Sequence, residues 1–388
     1  MNPSPPARSG PLAGVRIVEF AGIGPCPMAA MLLADLGASV LRIDRPTPSG
    51  LGIARPDRFN LLTRSRPSIV IDLKAPQGVE LALDLAARAD ALLEGFRPGT
   101  MERIGLGPEP CLARNPKLVY GRMTGWGQDG PLARAAGHDI NYVALTGALA
   151  AVGRRGEPPA LPLNLVGDFG GGSLYLALGV LSGIVHARAG GQGQVVDAAI
   201  VDGAASLMTM FYGSLACGMH NVERGTNVLD GGTWYWDTYL CADGHYVAVG
   251  PIEAKFRQLL VQAMGLASLD PPLDRRPPEE ARTLARAAFV KKTRAEWCAL
   301  LEGTDACLAP VLDMQEAPGH RHNAARATFV EVDGVVQPAP APRFDRTPAG
   351  LPTPPQGPGT GSRAALADWG WPEDEIERLC ASGVVQQR

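Results

Sequence analysis

Gly14 to Pro46 reads GVRIVEFAGIGPCPMAAMLLADLGASVLRIDRP. Val15 to Phe20 is an apolar run of strand length. Ala21-Gly22-Ile23-Gly24-Pro25 then turns the chain into a helical stretch ending near Gly37, and Val40 to Ile43 is a second strand. Two strands joined by a helix make a βαβ unit, whose right-handed crossover implies a parallel sheet. The same pattern continues outward. Ser68 to Leu73 reads as a strand, Pro76 opens a helix at its favoured first position, and Ala91 to Glu94 and Lys117 to Met123 read as further strands. The expected fold class is α/β, with a Rossmann-like doubly wound large domain. The glycines after the first strand do not complete a dinucleotide fingerprint: the second and third glycines of GxGxxG are not both present, and no acid stands at the ribose offset. They read as a tight strand-to-helix turn.

Farther along, Ser173 to Ala187 is helical and nearly all apolar, so that helix is expected to be buried. Gly190 to Gly193 breaks it, Val195 to Ala198 is a short strand, and a second apolar helix is expected from about Val201 to Gly218. It carries Met208 and Met210, with Met219 just beyond. Their flexible thioethers suit either a core or a surface for acyl chains of varied shape. Residues 221–234 turn polar and glycine-rich and read as a linker. Tyr235 to Leu240 and His245 to Val249 flank Cys241-Ala242-Asp243-Gly244, a hairpin signal. Helices follow at Glu253 to Met264, Pro278 to Lys292 and Thr293 to Glu302, the last with Thr293 and Glu296 at capping-box spacing. The expected organisation is a disordered tail at 1–10, a large domain at 11–220 completed by about 340–388, a linker at 221–234, a small α+β domain at 235–308 and a return linker at 309–339.

Composition limits the possible roles. With 46% apolar and 19% charged residues the 388-residue chain is globular, and a net charge of −3 supplies no basic field for nucleic acid or an anionic membrane. A polyanionic ligand would need a local basic pocket. Seven scattered cysteines without ligand spacing suggest thiols in a reducing compartment. The apolar stretch Leu174 to Val185 is short for a bilayer and the first ten residues lack an export core, so a soluble, cytoplasmic protein is expected.

Two groups stand out as proton carriers. His138 lies in GHDINY (137–142) and Asp168 in NLVGDFGGG (164–172), 30 positions apart, each beside a glycine and each expected in a loop ending an apolar segment. Doubly wound folds place their ligand crevice in such loops, so the pair reads as a two-base site. His186, His220, His320 and His322 have no comparable partner in sequence, His245 reads as a strand residue, and His320 with His322 makes at most a weak metal pair. No metal centre is expected. Isolated cations also surround the sheet: Arg42, Arg45, Lys74 and Arg97 follow its strands, and Arg103 begins the next element. These read equally as solvated surface charges or as a receiver for a phosphorylated ligand.

Gly14–Pro46, the DLK at 72–74, EGFRPGTMERIGLG at 94–107, GHDINY and NLVGDFGGG together resemble the class III CoA-transferase (CaiB/BaiF) superfamily. Within it the chain is similar to the alpha-methylacyl-CoA racemase family over about residues 12–342. The resemblance implies an interlocked ring-like homodimer, with the active site between the large domain of one subunit and the small domain of the other. It implies His138 and Asp168 as opposing acid/base groups and Glu253, in VGPIEAKF, as the support for His138. Backbone N–H groups near His138 and Asp139 are the expected oxyanion donors. Arg45, Lys74 and Arg103, with Arg97 nearby, are implied to hold the adenosine diphosphate part of CoA. The implied reaction is racemisation of 2-methyl-branched acyl-CoA thioesters through an enolate, with no cofactor beyond the CoA of the substrate and no nucleic-acid or membrane partner. The alternative from the same superfamily is CoA transfer with Asp168 as the acyl-accepting nucleophile.

Overall fold

The structure, a computed structural model, describes residues 9–388; of the expected tail, residues 1–8 lie outside the described residues. Two compact units emerge. The larger contains residues 9–146, 163–208 and 325–388; the smaller contains 147–162 and 209–324.

In the larger unit six strands are parallel: β1 (Arg16–Phe20), β2 (Ser39–Asp44), β3 (Ser68–Ile71), β4 (Ala91–Glu94), β5 (Val119–Thr124) and β6 (Gln194–Ala199). Their spatial order is β3-β2-β1-β4-β5-β6, and a two-residue strand, Val385–Gln386, adds antiparallel to β3. The direction of winding therefore reverses between β1 and β4. Alternation along the strands feeds two cores. Val18, Phe20, Leu41, Ile43 and Leu92 face one side with Leu366, Trp369 and Ile376; Ile17, Val40, Leu93 and Val119 face the other with helices Pro25–Asp35 and Leu174–Arg188. Two buried carboxylates face arginines. Glu19 lies 3.1 Å from Arg66, and Asp35 lies 2.5 Å from Arg64, which also donates to Gln337 Oε1 at 2.8 Å. Arg42 is correspondingly no ligand cation: it is buried within β2 and paired with Asp44 at 2.6 Å.

Three local expectations are corrected. Leu165–Ser173, expected as loop, is a wide π-helical turn that runs straight into Leu174–Arg188. Gly171 and Gly203 explain it: a Cβ on either would overlap the backbone of the other's segment, so the two helices approach at glycine contact. The joined helix, Leu165–Arg188, has 24 residues and is long and apolar enough, by length and composition, to cross a bilayer, though 44% of its most apolar window is buried in protein. The apolar stretch counted from sequence was thus too short. The expected 201–218 helix is two, Ile200–Leu207 and Thr209–Ala216, parted at Met208 where the chain passes between units.

The smaller unit contains an antiparallel sheet of β7 (Asp237–Leu240), β8 (Tyr246–Val249) and β9 (Leu308–Pro310), covered by helices Ala254–Ala263, Pro278–Phe289 and Arg294–Leu301. Thr293 and Glu296 form the expected capping box. Its boundaries differ from expectation. Residues 221–234 are built into it, with Asn227 and Asp230 bonded to each other at 2.7 Å, and Arg155 of the 147–162 excursion pairs with Glu223 at 2.9 Å. Those polar ties, invisible to composition, turn an apparent linker into structure. The expected return linker likewise holds a short helix, Arg321–Ala325, and a hairpin, Phe329–Val332 with Val335–Pro338, the latter in the larger unit.

Candidate functional site

Asp168 sits where the winding reverses. A Cβ on Gly24, in the turn after β1, would lie 3.2 Å from Asp168 Oδ2, and Gly24 has φ +67°, a backbone that glycine adopts without strain. The carboxylate therefore borders the first helix's N-terminal turn, at the crevice outside the carboxyl end of β1. Asn164 Nδ2 donates to Asp168 Oδ2 at 3.3 Å. The Ser173 hydroxyl, 2.8 Å from the Pro25 carbonyl oxygen and 2.9 Å from that of Asp168, ties the wide turn to the same place. Burial pushes the Asp168 carboxyl above the usual carboxylate range. The negative charge of Asp139 adds to this, while Asn164 and the charge of His138 oppose it.

His138 caps the short helix Asp139–Ala144 from outside, and its imidazole is exposed. Asp139 is buried and its carboxylate is occupied: Oδ1 accepts the Asp168 N–H at 2.6 Å, and the Gly167 N–H also donates to the carboxylate. The GHDINY segment and the wide turn are thereby joined, so His138 and Asp168 belong to one locality of the larger unit. Asn164, Gly24 and Tyr142 are the neighbours that sequence reasoning missed. Asn164 stands one helical turn before Asp168, and Tyr142 closes GHDINY; those spacings were the available signals.

Glu253 is in the smaller unit, exposed, as the residue preceding helix Ala254–Ala263. Arg45, Lys74 and Arg97 follow the carboxyl ends of β2, β3 and β4, and Arg103 ends the short helix Thr100–Arg103. All four are exposed, and none forms an ion pair with a carboxylate among the described residues. The Arg45 guanidinium lies 5.2 Å from the Phe96 ring, across the end of β1. The methionines do not share one element: Met208 is half-buried at the helix break, and Met210 and Met219, 57% and 82% exposed, lie in the smaller unit. His320 is engaged by Glu302 at 3.2 Å.

Fold and site together define a class: an α/β protein with a parallel-dominated sheet and an acid, Asp168, pushed up by burial where that sheet reverses its winding, with the charge of His138 acting on it. Comparison with known proteins makes this particular. Residues 12–363 match CoA-transferase family III, and the chain belongs to that family. It is 43% identical over 382 residues to the alpha-methylacyl-CoA racemase of Mus musculus and 41% identical over 382 residues to that of Homo sapiens, with 97% of this chain and 97% of the relative covered in each case. Among solved structures, a CaiB/BaiF family protein from Brucella suis has TM-score 0.77 and 25% identity, covering 93% of this chain and 100% of that one.

Proposed function

We propose that this chain racemises 2-methyl-branched acyl-CoA thioesters by two-base 1,1-proton transfer. The observation that carries the reading is a carboxyl, Asp168, whose burial favours its protonated form and on which the charge of His138 acts, in a chain 41–43% identical to named racemases. For one enantiomer neutral His138 removes the α-proton and protonated Asp168 returns one to the opposite face; for the other the roles reverse. Each group contributes about 10²–10⁴-fold as a general acid or base. The thioester oxygen becomes an enolate between the two transfers. Because His138 N–H donates to Asn141 Oδ1 at 3.0 Å, the donor we assign to that oxygen is the Asp139 N–H in the open first turn of the helix.

The proposal extends to a Rossmann-like large domain in an interlocked homodimer. Glu253 then reaches His138 from the second subunit and stabilises the imidazolium, Arg45, Lys74, Arg97 and Arg103 receive the adenosine diphosphate of CoA, and Met208, Met210 and Met219 meet the acyl chain. Exposed Leu174, Leu178 and Val185 along one helix support a second copy covering that face. We further place the enzyme in the cytoplasm, off the membrane, with no cofactor beyond substrate CoA. The family description favours one second reading, CoA transfer: Asp168 attacks the thioester carbonyl and CoA leaves as thiolate to give a mixed anhydride, then the thiolate attacks the Asp168 acyl carbon, releasing the first acid as carboxylate and leaving an aspartyl-CoA thioester.

The deciding experiment uses one enantiomer of a 2-methylacyl-CoA in D₂O without acceptor acid, with wild type, His138→Ala and Asp168→Ala. α-Deuteration with loss of optical purity, abolished or made one-sided by either substitution, is expected. No exchange, but Asp168-dependent movement of CoA to an added carboxylic acid, would establish the transferase instead.

A further inference from the structure

The GHDINY segment contains its own clamp. The peptide linking Gly137 to His138 is held at both polar ends by residues of the same six-residue stretch. Its N–H, that of His138, donates to Asn141 Oδ1 at 3.0 Å, and its carbonyl oxygen, that of Gly137, accepts the Tyr142 hydroxyl. The Tyr142 ring is fixed in turn. It meets Trp126 edge-on with centroids 4.7 Å apart. A Cβ on Gly125 would overlap the ring at 2.1 Å, and a Cβ on Gly137 would lie 2.7 Å from the ring and 3.1 Å from Trp126, so both glycines approach the aromatic pair more closely than any side chain would allow. The Trp126 indole N–H has no partner among the described residues, which leaves the Tyr142 hydroxyl as the polar tie from this pair to the loop. Burial first, and then the charge of Asp168, push the Tyr142 phenol above its ordinary range and keep it a donor.

We infer that Asn141 and Tyr142 are positioning residues for the reaction: by fixing the rotation of the Gly137–His138 peptide they aim the His138 imidazole at the α-carbon. The inference rests on the two-base reading given above. An imidazole on an exposed loop has few contacts of its own to hold it, and a misplacement of about 1 Å lowers a rate by about 10²-fold. Asp168 is secured by bonds in which neither Asn141 nor Tyr142 takes part: from Asn164, to the Asp139 carboxylate and from the Ser173 hydroxyl. Loosening the clamp should therefore affect one proton transfer and spare the other.

The test compares Tyr142→Phe, Asn141→Leu and Asn141→Asp, the last keeping an acceptor oxygen, with wild type. Two readouts are taken: initial α-exchange in D₂O from each enantiomer separately, and the imidazole Cε1–H signals of selectively labelled histidine, with His138 identified by its loss in His138→Gln. Tyr142→Phe and Asn141→Leu should slow exchange from the enantiomer served by His138 by about tenfold or more while KM holds, within the misplacement limit. Exchange from the other enantiomer should stay within about twofold. Asn141→Asp should restore most of the rate, and only the His138 signal of the six should move in the two damaging variants. Folded variants with both exchange rates intact, both rates falling equally, or an unmoved His138 signal would overturn the inference. A wild type that exchanges neither enantiomer would refute the racemase reading, and the His138 signal would then decide the clamp by itself.

Discussion

Asp139→Ala isolates the bond that joins the histidine segment to the acid. In the native chain the buried Asp139 carboxylate receives the Asp168 N–H at 2.6 Å and the Gly167 N–H as well. Alanine leaves both donors without that acceptor inside a partly buried turn. Hydrogen bonds to charged groups contribute about 1.5–3 kcal/mol each, so the lower bound for two is about 3 kcal/mol. At about 1.4 kcal/mol per factor of ten, opening of the wide turn becomes about 10²-fold easier. The assay is hydrogen exchange by mass spectrometry on peptides spanning 165–173, under conditions where exchange reports the opening equilibrium. Protection should fall by that factor there and hold in strands β1 and β4, with Asp139→Asn intermediate because its amide oxygen still accepts. Unchanged protection at 165–173, or an equal loss throughout the larger unit, would refute the reasoning.

A pH effect follows from Glu94, whose carboxyl is pushed up to about 7 by burial, against the pull of the Phe96 amide and Arg122. A folded-state value above the unfolded one means its contribution to stability is complete below about pH 4.5 and is lost as pH rises through about 7. Glu94→Gln should reduce the fall in Tm between pH 5 and 7, and because Arg122 keeps Glu102 at 2.8 Å, no charge is orphaned; equal slopes in the two proteins would contradict this. Single alanine substitutions of Arg45, Lys74, Arg97 and Arg103 should raise KM for the acyl-CoA about three- to tenfold with kcat nearly unchanged, an effect that shrinks with added salt. Unchanged KM in all four would remove these cations from ligand binding.

The sheet was legible because strands β1 to β5 are buried on both faces and so appear as short, mostly apolar runs next to glycine, as at Val15–Phe20 and Ala91–Glu94. The wide turn was not, because GDFGGG has the local propensity of a loop; its Gly171 meets Gly203 of a later helix, a tertiary fact. Nor was the break at Met208, which has no glycine or proline to announce it. Polar, glycine-rich 221–234 failed for the opposite reason: Asn227 bonds to both Asn221 and Asp230, and Thr226 to Asn221, making local order from residues that usually solvate a linker. At the site, the two glycine-flanked motifs drew attention to His138 and Asp168, but their support from Asn164, Asn141 and Tyr142 depends on side-chain directions that spacing alone does not reveal. Arg42 was indistinguishable in sequence from Arg45 three positions on. Only strand alternation separates the in-sheet ion pair from the cation beyond the strand end.

The short strand Val385–Gln386 that lies along β3 has a consequence for how the chain is made. Its partners Val70 and Ile71 leave the ribosome some 314 residues earlier, as do most of the strands whose core is covered by Leu366, Trp369 and Ile376. At about 5–20 residues per second, that edge and apolar surface wait roughly 15–60 s for cover. Through that interval the nascent chain presents an open parallel sheet edge beside an uncovered tryptophan pocket, the kind of surface to which holding chaperones bind. Lesions near residues 362–386 should therefore register first as poor yield during synthesis, before any defect of the finished enzyme.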